Sequence, residues 1–210
     1  AARAPGLAPM LTCDHDLARD RSGEADIGLS FTMPADPELI VARLATLHFL
    51  AYASEAYLAR RGVPRTIEDL RGHDYIEQVT PGANSTLRDY LIGIMGGDDA
   101  AVLRTNASLP LLFAVAHGDG VAVLPTYASL VTQRIVALPV PLRLRFEVYY
   151  WFHRHARDNP NVRAGIDWLK AAFDNRAYPC FADAFHDPRE GALDAVADAP
   201  IAEVFRTLAG

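Results

Sequence analysis

The sequence predicts an α/β fold, with strands and helices alternating along most of the chain. Three observations predict it. The stretch from Asn106 to Pro125, NASLPLLFAVAHGDGVAVLP, carries Leu109, Leu112, Phe113 and Ala116 at helical spacing, then a Gly-Asp-Gly break, then a short apolar run closed by proline. Leu144 to Phe152 is rich in aromatic and β-branched residues, as a long strand requires. Directly after it, Val162, Ile166, Leu169 and Phe173 step by four, three and four, which lines one face of a helix over Asn159 to Phe173.

From the N-terminus, Met10 to Asp14 reads as a short strand, and Gly23 to Ser30 leads into a second through Ile27 and Leu29. Ser30 to Pro37 is a loop. Leu39 to Leu44 and Thr46 to Ala53 read as strands, after which Ser54 caps a helix ended by Gly62. Thr66 and Asp69 form a capping pattern for another short helix. Tyr75 to Val79 is a strand, Pro81-Gly82 a turn, and Ser85 to Met95 a helix. Ala100 to Thr105 is the strand that feeds the Asn106–Pro125 segment. There Asn106 or Ser108 caps the helix, Pro110 falls in the first turn where its missing N–H costs no bond, and Gly118 ends the helix in a left-handed conformation. Val121 to Leu124 is then a strand buried on both faces. A short helix near Thr126 to Gln133 and a strand at Ile135 to Leu138 precede the Pro139/Pro141 break. Residues 174–210 are acidic and alanine-rich, with helicity expected from Pro200 to Leu208.

Composition bounds the function. At 210 residues, half of them apolar, the chain can bury one large core or two small ones. It contains no run of eighteen apolar residues and no basic-then-apolar leader, so neither membrane insertion nor export is supported and a cytoplasmic location is expected. Cys13 and Cys180 stand too far apart in sequence to form a disulfide framework and are expected to be reduced. A net charge of −6, with no basic cluster interleaved with aromatics, predicts that this chain by itself does not bind nucleic acid.

Candidate chemistry is sparse. A dinucleotide loop needs a strand feeding glycines that open a helix; here a helix feeds a strand, so Gly118-Asp119-Gly120 is no phosphate fingerprint. Cys13-Asp14-His15-Asp16 offers three metal-ligand types, but strand alternation would divide the cysteine and histidine from the two aspartates, so no metal site is expected. His153-Arg154-His155-Ala156-Arg157 reads as a solvated turn. No nucleophile elbow, zinc-protease motif or protease cysteine occurs, so no catalytic residue and no cofactor are expected. Asn106-Ala107-Ser108 matches a glycosylation sequon but is better read as a helix start. Tyr149, Tyr150, Trp151 and Phe152 could line a ligand cleft, yet alternation turns half of them into the core.

The helix-Gly-Asp-Gly-strand-Pro segment resembles the effector-binding domain of LysR-type bacterial transcription regulators. Three further segments match that family in order: GEADIGL at Gly23 to Leu29, ASEAYLARRG at Ala53 to Gly62, and TIEDLRGH at Thr66 to His73. The resemblance implies a two-lobe fold of the type 2 periplasmic-binding-protein kind, with two crossing strands near Phe49 to Ala53 and Tyr149 to His153. Lobe I would be residues 1–51 plus 150–175 and lobe II residues 52–149. Residues 176–210 would be an extension, partly disordered, with the Tyr178-Pro179-Cys180-Phe181 stretch over lobe I. The opening Ala1 to Gly6 looks like the end of the domain's first helix, so strand one, most of helix one and a DNA-binding domain would lie ahead of it.

By the same resemblance the function is small-molecule sensing, with an effector bound between the lobes altering the DNA binding of a homodimer or dimer of dimers. The residues expected to touch the effector are Ser30, Phe31 and Thr32, Thr80, Asn106, Ala107 and Ser108, and Trp151. The family often has arginine where this chain has Ser30. The helix start at Asn106 favours a carboxylate effector through its free N–H groups and dipole. DNA would be a partner only through the N-terminal domain, and no membrane partner is expected. The alternative is a free-standing solute receptor of the same fold, against which the lack of a signal peptide counts. A two-lobe enzyme would need an acid/base residue in the cleft, and the sequence offers none.

Overall fold

The computed structural model describes residues 8, 10–13, 25–79 and 85–190, and these form seven strands and five α-helices in alternation. They separate into two compact units. The first holds residues 8, 10–13, 25–48 and 145–190; the second holds 49–79 and 85–144.

In the first unit, β1 (Gly28–Ser30) pairs antiparallel with β7 (Leu144–His153), and β7 in turn neighbours β2 (Leu39–Ser54). Helix α5 (Pro160–Ala172) begins at the Asn159 cap, whose side chain accepts the Asn161 N–H, with Pro160 in the first position. Its Val162 and Ile166 pack on Tyr150 and Phe152 of β7, with Ile27, Ile40, Ala42 and Leu44 around them. The periodicity of α5 and the strand character of β7 are therefore one core seen from two sides.

Residues beyond α5 continue over this unit. Phe181 packs against Phe173 at 4.8 Å between ring centroids, and Cys180 is buried, which pushes its thiol up to about 12. Phe185 sits edge-on to His48, and the His48 ring Nε2 lies 3.1 Å from the Ala182 carbonyl oxygen. Asp183 accepts hydrogen bonds from Arg43, and from the Thr46 hydroxyl at 2.6 Å, with Arg145 3.3 Å away. Residues 191–210, including the expected helix at Pro200 to Leu208, lie outside the described residues.

The second unit takes over within β2 after His48 and ends within β7 after Leu144. Phe49 to Tyr52 of β2 pair antiparallel with β5 (Ala122–Pro125), and Tyr52 to Ser54 pair with β6 (Ile135–Ala137). Flanked on both edges, this half of β2 is buried on both faces. Ser54 caps α1 (Glu55–Arg61) by accepting the Tyr57 N–H, and Gly62 ends it at φ +88°. Thr66 and Asp69 bond each other's backbone N–H groups, as a capping box should. Strand β3 (Tyr75–Gln78) lies parallel to β4 (Ala101–Thr105) and is joined to it through α2 (Ser85–Met95). Short helix α4 (Ala128–Val131) follows β5. Ala51, Ala53, Tyr57, Leu70, Tyr75, Met95, Val121 and Leu138 form the core.

Two expectations are corrected. Met10 to Cys13 belong to no strand, and Met10 and Leu11 are exposed, because no described neighbour offers them a ladder partner; Asp14 lies outside the described residues. The two strands read at Leu39–Leu44 and Thr46–Ala53 are one strand, since Ala45 between them is buried and keeps the extended backbone.

Candidate functional site

The candidate site in the second unit is built where β3 and β4 end side by side. Gln78 pairs with Thr105, and the Val79 N–H donates to the Thr105 carbonyl at 2.8 Å. Parallel strands leave their carboxyl ends free of ladder partners, and in open α/β sheets that end is where ligands bind. Helix α3 (Ser108–His117) starts there.

Its start differs from the expected one. The N-cap is Ala107, in extended conformation, with no side chain closing the helix end; Asn106 is exposed and Ser108 is already helical. Asn106 and Ser108 therefore do not cap the helix. The Thr105 hydroxyl oxygen accepts the Ala107 N–H at 3.1 Å, and the Ser108 hydroxyl accepts from the Gln78 amide at 3.1 Å. The first-turn N–H groups of Ser108 and Leu109 have no intrahelical acceptor, and Pro110 has none to offer. The positive end of the helix dipole is thus left with two donors and no resident carboxylate. At the other end Gly118 takes the left-handed conformation, and Gly120 passes so close to the Asp74 carbonyl that a Cβ would stand 2.5 Å from it. Gly118 closes the helix beside α1 and Gly120 lets the following turn pass Asp74 at the start of β3, roles that replace phosphate binding.

The first unit brings together four of the remaining expected residues in or beside β1 and β7. Ser30 closes β1 opposite Tyr149, and its hydroxyl donates to the Thr32 carbonyl at 2.7 Å. Phe31 is half exposed and meets Phe146 edge-on at 6.0 Å. Trp151 pairs with Gly28 in the β1–β7 ladder. Ser30, Phe31, Thr32 and Trp151 belong to the first unit and Asn106, Ala107 and Ser108 to the second. Thr80 lies outside the described residues.

Sequence reasoning missed Gln78 and Glu77. Glu77 is a carboxylate with 2% of its side chain exposed, held by the Nε of Arg88 at 2.7 Å and of Arg104 at 2.8 Å, and both arginines reach Asp98. The hydrogen bond to Glu77 is the largest cause raising the pKa of each arginine, so both guanidiniums keep their charge. This cluster ties α2 and β4 to β3 and thereby sets the strand ends. Its signal was a lone acid in an apolar strand. Two arginines follow it eleven and twenty-seven positions later. Among the described residues no group of three His, Cys, Asp or Glu side chains could hold a metal ion; Asp14, His15 and Asp16 lie outside them. His153 and His155 stack at 5.1 Å on a turn fastened by Arg154 to the Pro37 carbonyl.

The sequence matches the family described as LysR substrate binding domain over residues 1–174. No curated protein matches it. Among solved structures it is similar to the regulatory domain of CrgA, a LysR-type transcriptional regulator from Neisseria meningitidis, at 18% identity and TM-score 0.58, covering 71% of this chain and 76% of that one. The regulatory domain of CcmR from Synechocystis PCC6803, in complex with 2-PG, aligns at 16% identity and TM-score 0.59, covering 77% and 81%. The regulatory domain of AphB from Vibrio vulnificus aligns at 17% identity and TM-score 0.54, covering 78% and 83%. Against the longer CrgA structure the chain spans 54% of the other protein. Among the described residues no helix is long and apolar enough to cross a membrane.

Proposed function

The chain belongs to the LysR substrate-binding domain family, and we propose that it senses a small carboxylate held at the start of α3. As a member of that family it has the type 2 periplasmic-binding-protein-like fold and is the effector-sensing domain of a LysR-type regulator. The single observation that carries the carboxylate reading is the uncapped helix start at Ala107, with its two free donors beside the ends of parallel strands. Asn106, Ala107 and Ser108 are the contacts assigned to the second unit, Ser30, Phe31, Thr32 and Trp151 those assigned to the first, and Thr80, outside the described residues, is a further expected contact. The 2-PG complex of the CcmR domain supports a ligand role for this fold. The reading is of a binding domain with no catalytic part, working in the cytoplasm.

A bound effector acts by differential affinity: it favours whichever conformation of the regulator it binds best, and the DNA-contacting part of the regulator responds to that shift. We place DNA contact outside this chain, whose net charge is −6. The chain is further proposed to pair with a second copy through the outer face of α3, where Leu109 and Phe113 are exposed beside half-buried Leu112 and Ala116. Calorimetric titration with a panel of small carboxylates and their neutral amides tests the central reading. Binding of an acid without its amide supports it, and equal binding of both would contradict it.

A further inference from the structure

Along β7 the side chains alternate, so Tyr149 and Trp151 face one side of the strand while Tyr150 and Phe152 face the other. The Tyr150 side carries a recess of about 330 Å3 on the first unit, framed by β2, β7 and α5. Its walls are apolar: Ile40, the rings of Tyr150 and Phe152, and Ile166. The two rings lie parallel within 6°, their centroids 6.4 Å apart, and so offer a flat surface.

Around this apolar floor stand three cations, Arg157, Arg163 and Lys170, and one carboxylate, Asp167. Arg163 is committed: its Nε donates to the Arg157 carbonyl at 3.1 Å and its Nη2 to Asp158 at 2.8 Å. Those bonds hold the turn that carries Arg157. The guanidinium of Arg157 and the ammonium of Lys170 enter no ion pair among the described residues, and Lys170 Nζ stands 5.9 Å from the centroid of the Tyr150 ring. Tyr150 is 8% exposed, and its hydroxyl reaches solvent while its ring is covered. A covered ring with a wet hydroxyl leaves that donor open to a ligand. An acidic chain has thus gathered unpaired positive charge and an unused hydroxyl donor at the rim of one apolar recess.

We propose that this recess is a second ligand site, separate from the α3 helix start, and that it takes an aromatic carboxylate. The ring lies on the Tyr150 and Phe152 surface between Ile40 and Ile166. The carboxylate accepts from Arg157, Lys170 and the Tyr150 hydroxyl, three donors that no ion pair or hydrogen bond among the described residues occupies. A hydrophobic body with an anionic end matches the recess in both parts. Inorganic phosphate lacks the first, and a neutral aromatic amide lacks the second.

Titration of the 210-residue chain with 2-naphthoate tests the proposal, with 2-naphthamide and inorganic phosphate as comparisons. Naphthoate is expected to bind and the other two are not. The double variant Arg157→Gln/Lys170→Gln, altered only at exposed side chains, should weaken naphthoate at least about tenfold. Tyr150→Phe keeps the ring stack and should weaken it by roughly fivefold. Ser108→Asp should leave naphthoate affinity at this site unchanged. No binding at millimolar naphthoate, or unaltered affinity in the double variant, would overturn the proposal. So would loss of naphthoate binding in Ser108→Asp with full binding in the double variant, because the acid would then sit at α3.

Discussion

Trp151 fills the space that a side chain on Gly28 would occupy: a Cβ built there would stand 2.0 Å from two carbons of the indole. The two residues are ladder partners, so β1 can lie against β7 only because position 28 has no side chain. Gly28→Ala must move the indole or part the strands. The variant is expected to lose about 1–3 kcal/mol of stability, as overpacked sites do, and to change its tryptophan emission. Urea unfolding with fluorescence detection checks both, and an unchanged midpoint with unchanged emission would refute the contact.

Glu77 gives a second expectation. Its buried carboxylate has two guanidinium partners, and either one alone still neutralises it. Arg88→Met and Arg104→Met should each destabilise the fold modestly, and the double variant should lose more than their sum because a buried charge is then stranded. A double-mutant cycle in urea reads the coupling. Strictly additive losses would mean that the two arginines act independently.

The contact of Asp183 with Arg43, Thr46 and Arg145 holds its carboxyl well below the usual carboxylate range, the Arg43 hydrogen bond being the largest cause. A depressed carboxylate pKa stabilises the contact at every pH above the unfolded value, near 4, and that stabilisation is lost as pH falls through the folded value. The segment over 179–190 should therefore stay protected from amide exchange at neutral pH and loosen in strong acid. Asp183→Asn should show the loosened pattern already at pH 7. Equal protection in variant and parent would remove Asp183 as the anchor.

His73 has the opposite chemistry and a related sign. Burial lowers its pKa, with the Arg61 charge adding to the effect, and its Nδ1 lies 3.2 Å from the Tyr57 hydroxyl. The fold thus prefers neutral histidine. Stability from this preference is complete above about pH 6.5 and declines as pH falls from there toward the lowered folded value. Melting temperatures at pH 7.5 and 5.5 should differ more for the parent than for His73→Gln. An equal difference in both would assign the acid sensitivity to another group.

Much of the second unit was legible because its signals are local. Ser54, Gly62, Thr66 and Asp69 cap by contacts within a few residues, and Gly118 ends its helix by its own backbone. What was hidden depends on partners distant in sequence. Arg43, a charged residue inside a strand, has its partner Asp183 140 positions away. Glu77 carried no weight in a chain full of acids until two arginines met it. The start of α3 offered two good capping residues, and the structure used neither, because the Ser108 hydroxyl is taken by Gln78 from the neighbouring strand. Tyr178 to Phe181 were legible as a stretch lying over the first unit, whereas the acidic, alanine-rich composition after α5 concealed Phe185, whose partner His48 is distant in sequence.

Binding of a carboxylate effector at the open start of α3 is tested by thermal unfolding of Ser108→Asp with the effector acid present. An aspartate in the first helical turn is compatible with the fold and places a fixed anion where the ligand's would go. At roughly a hundred times its dissociation constant the effector should raise the parent's stability by about 2.7 kcal/mol, a midpoint rise of about 5–10 °C for a chain of this length. Ser108→Asp is expected to unfold near the parent's ligand-free midpoint and to show no rise with the acid. A full rise in the variant would contradict it.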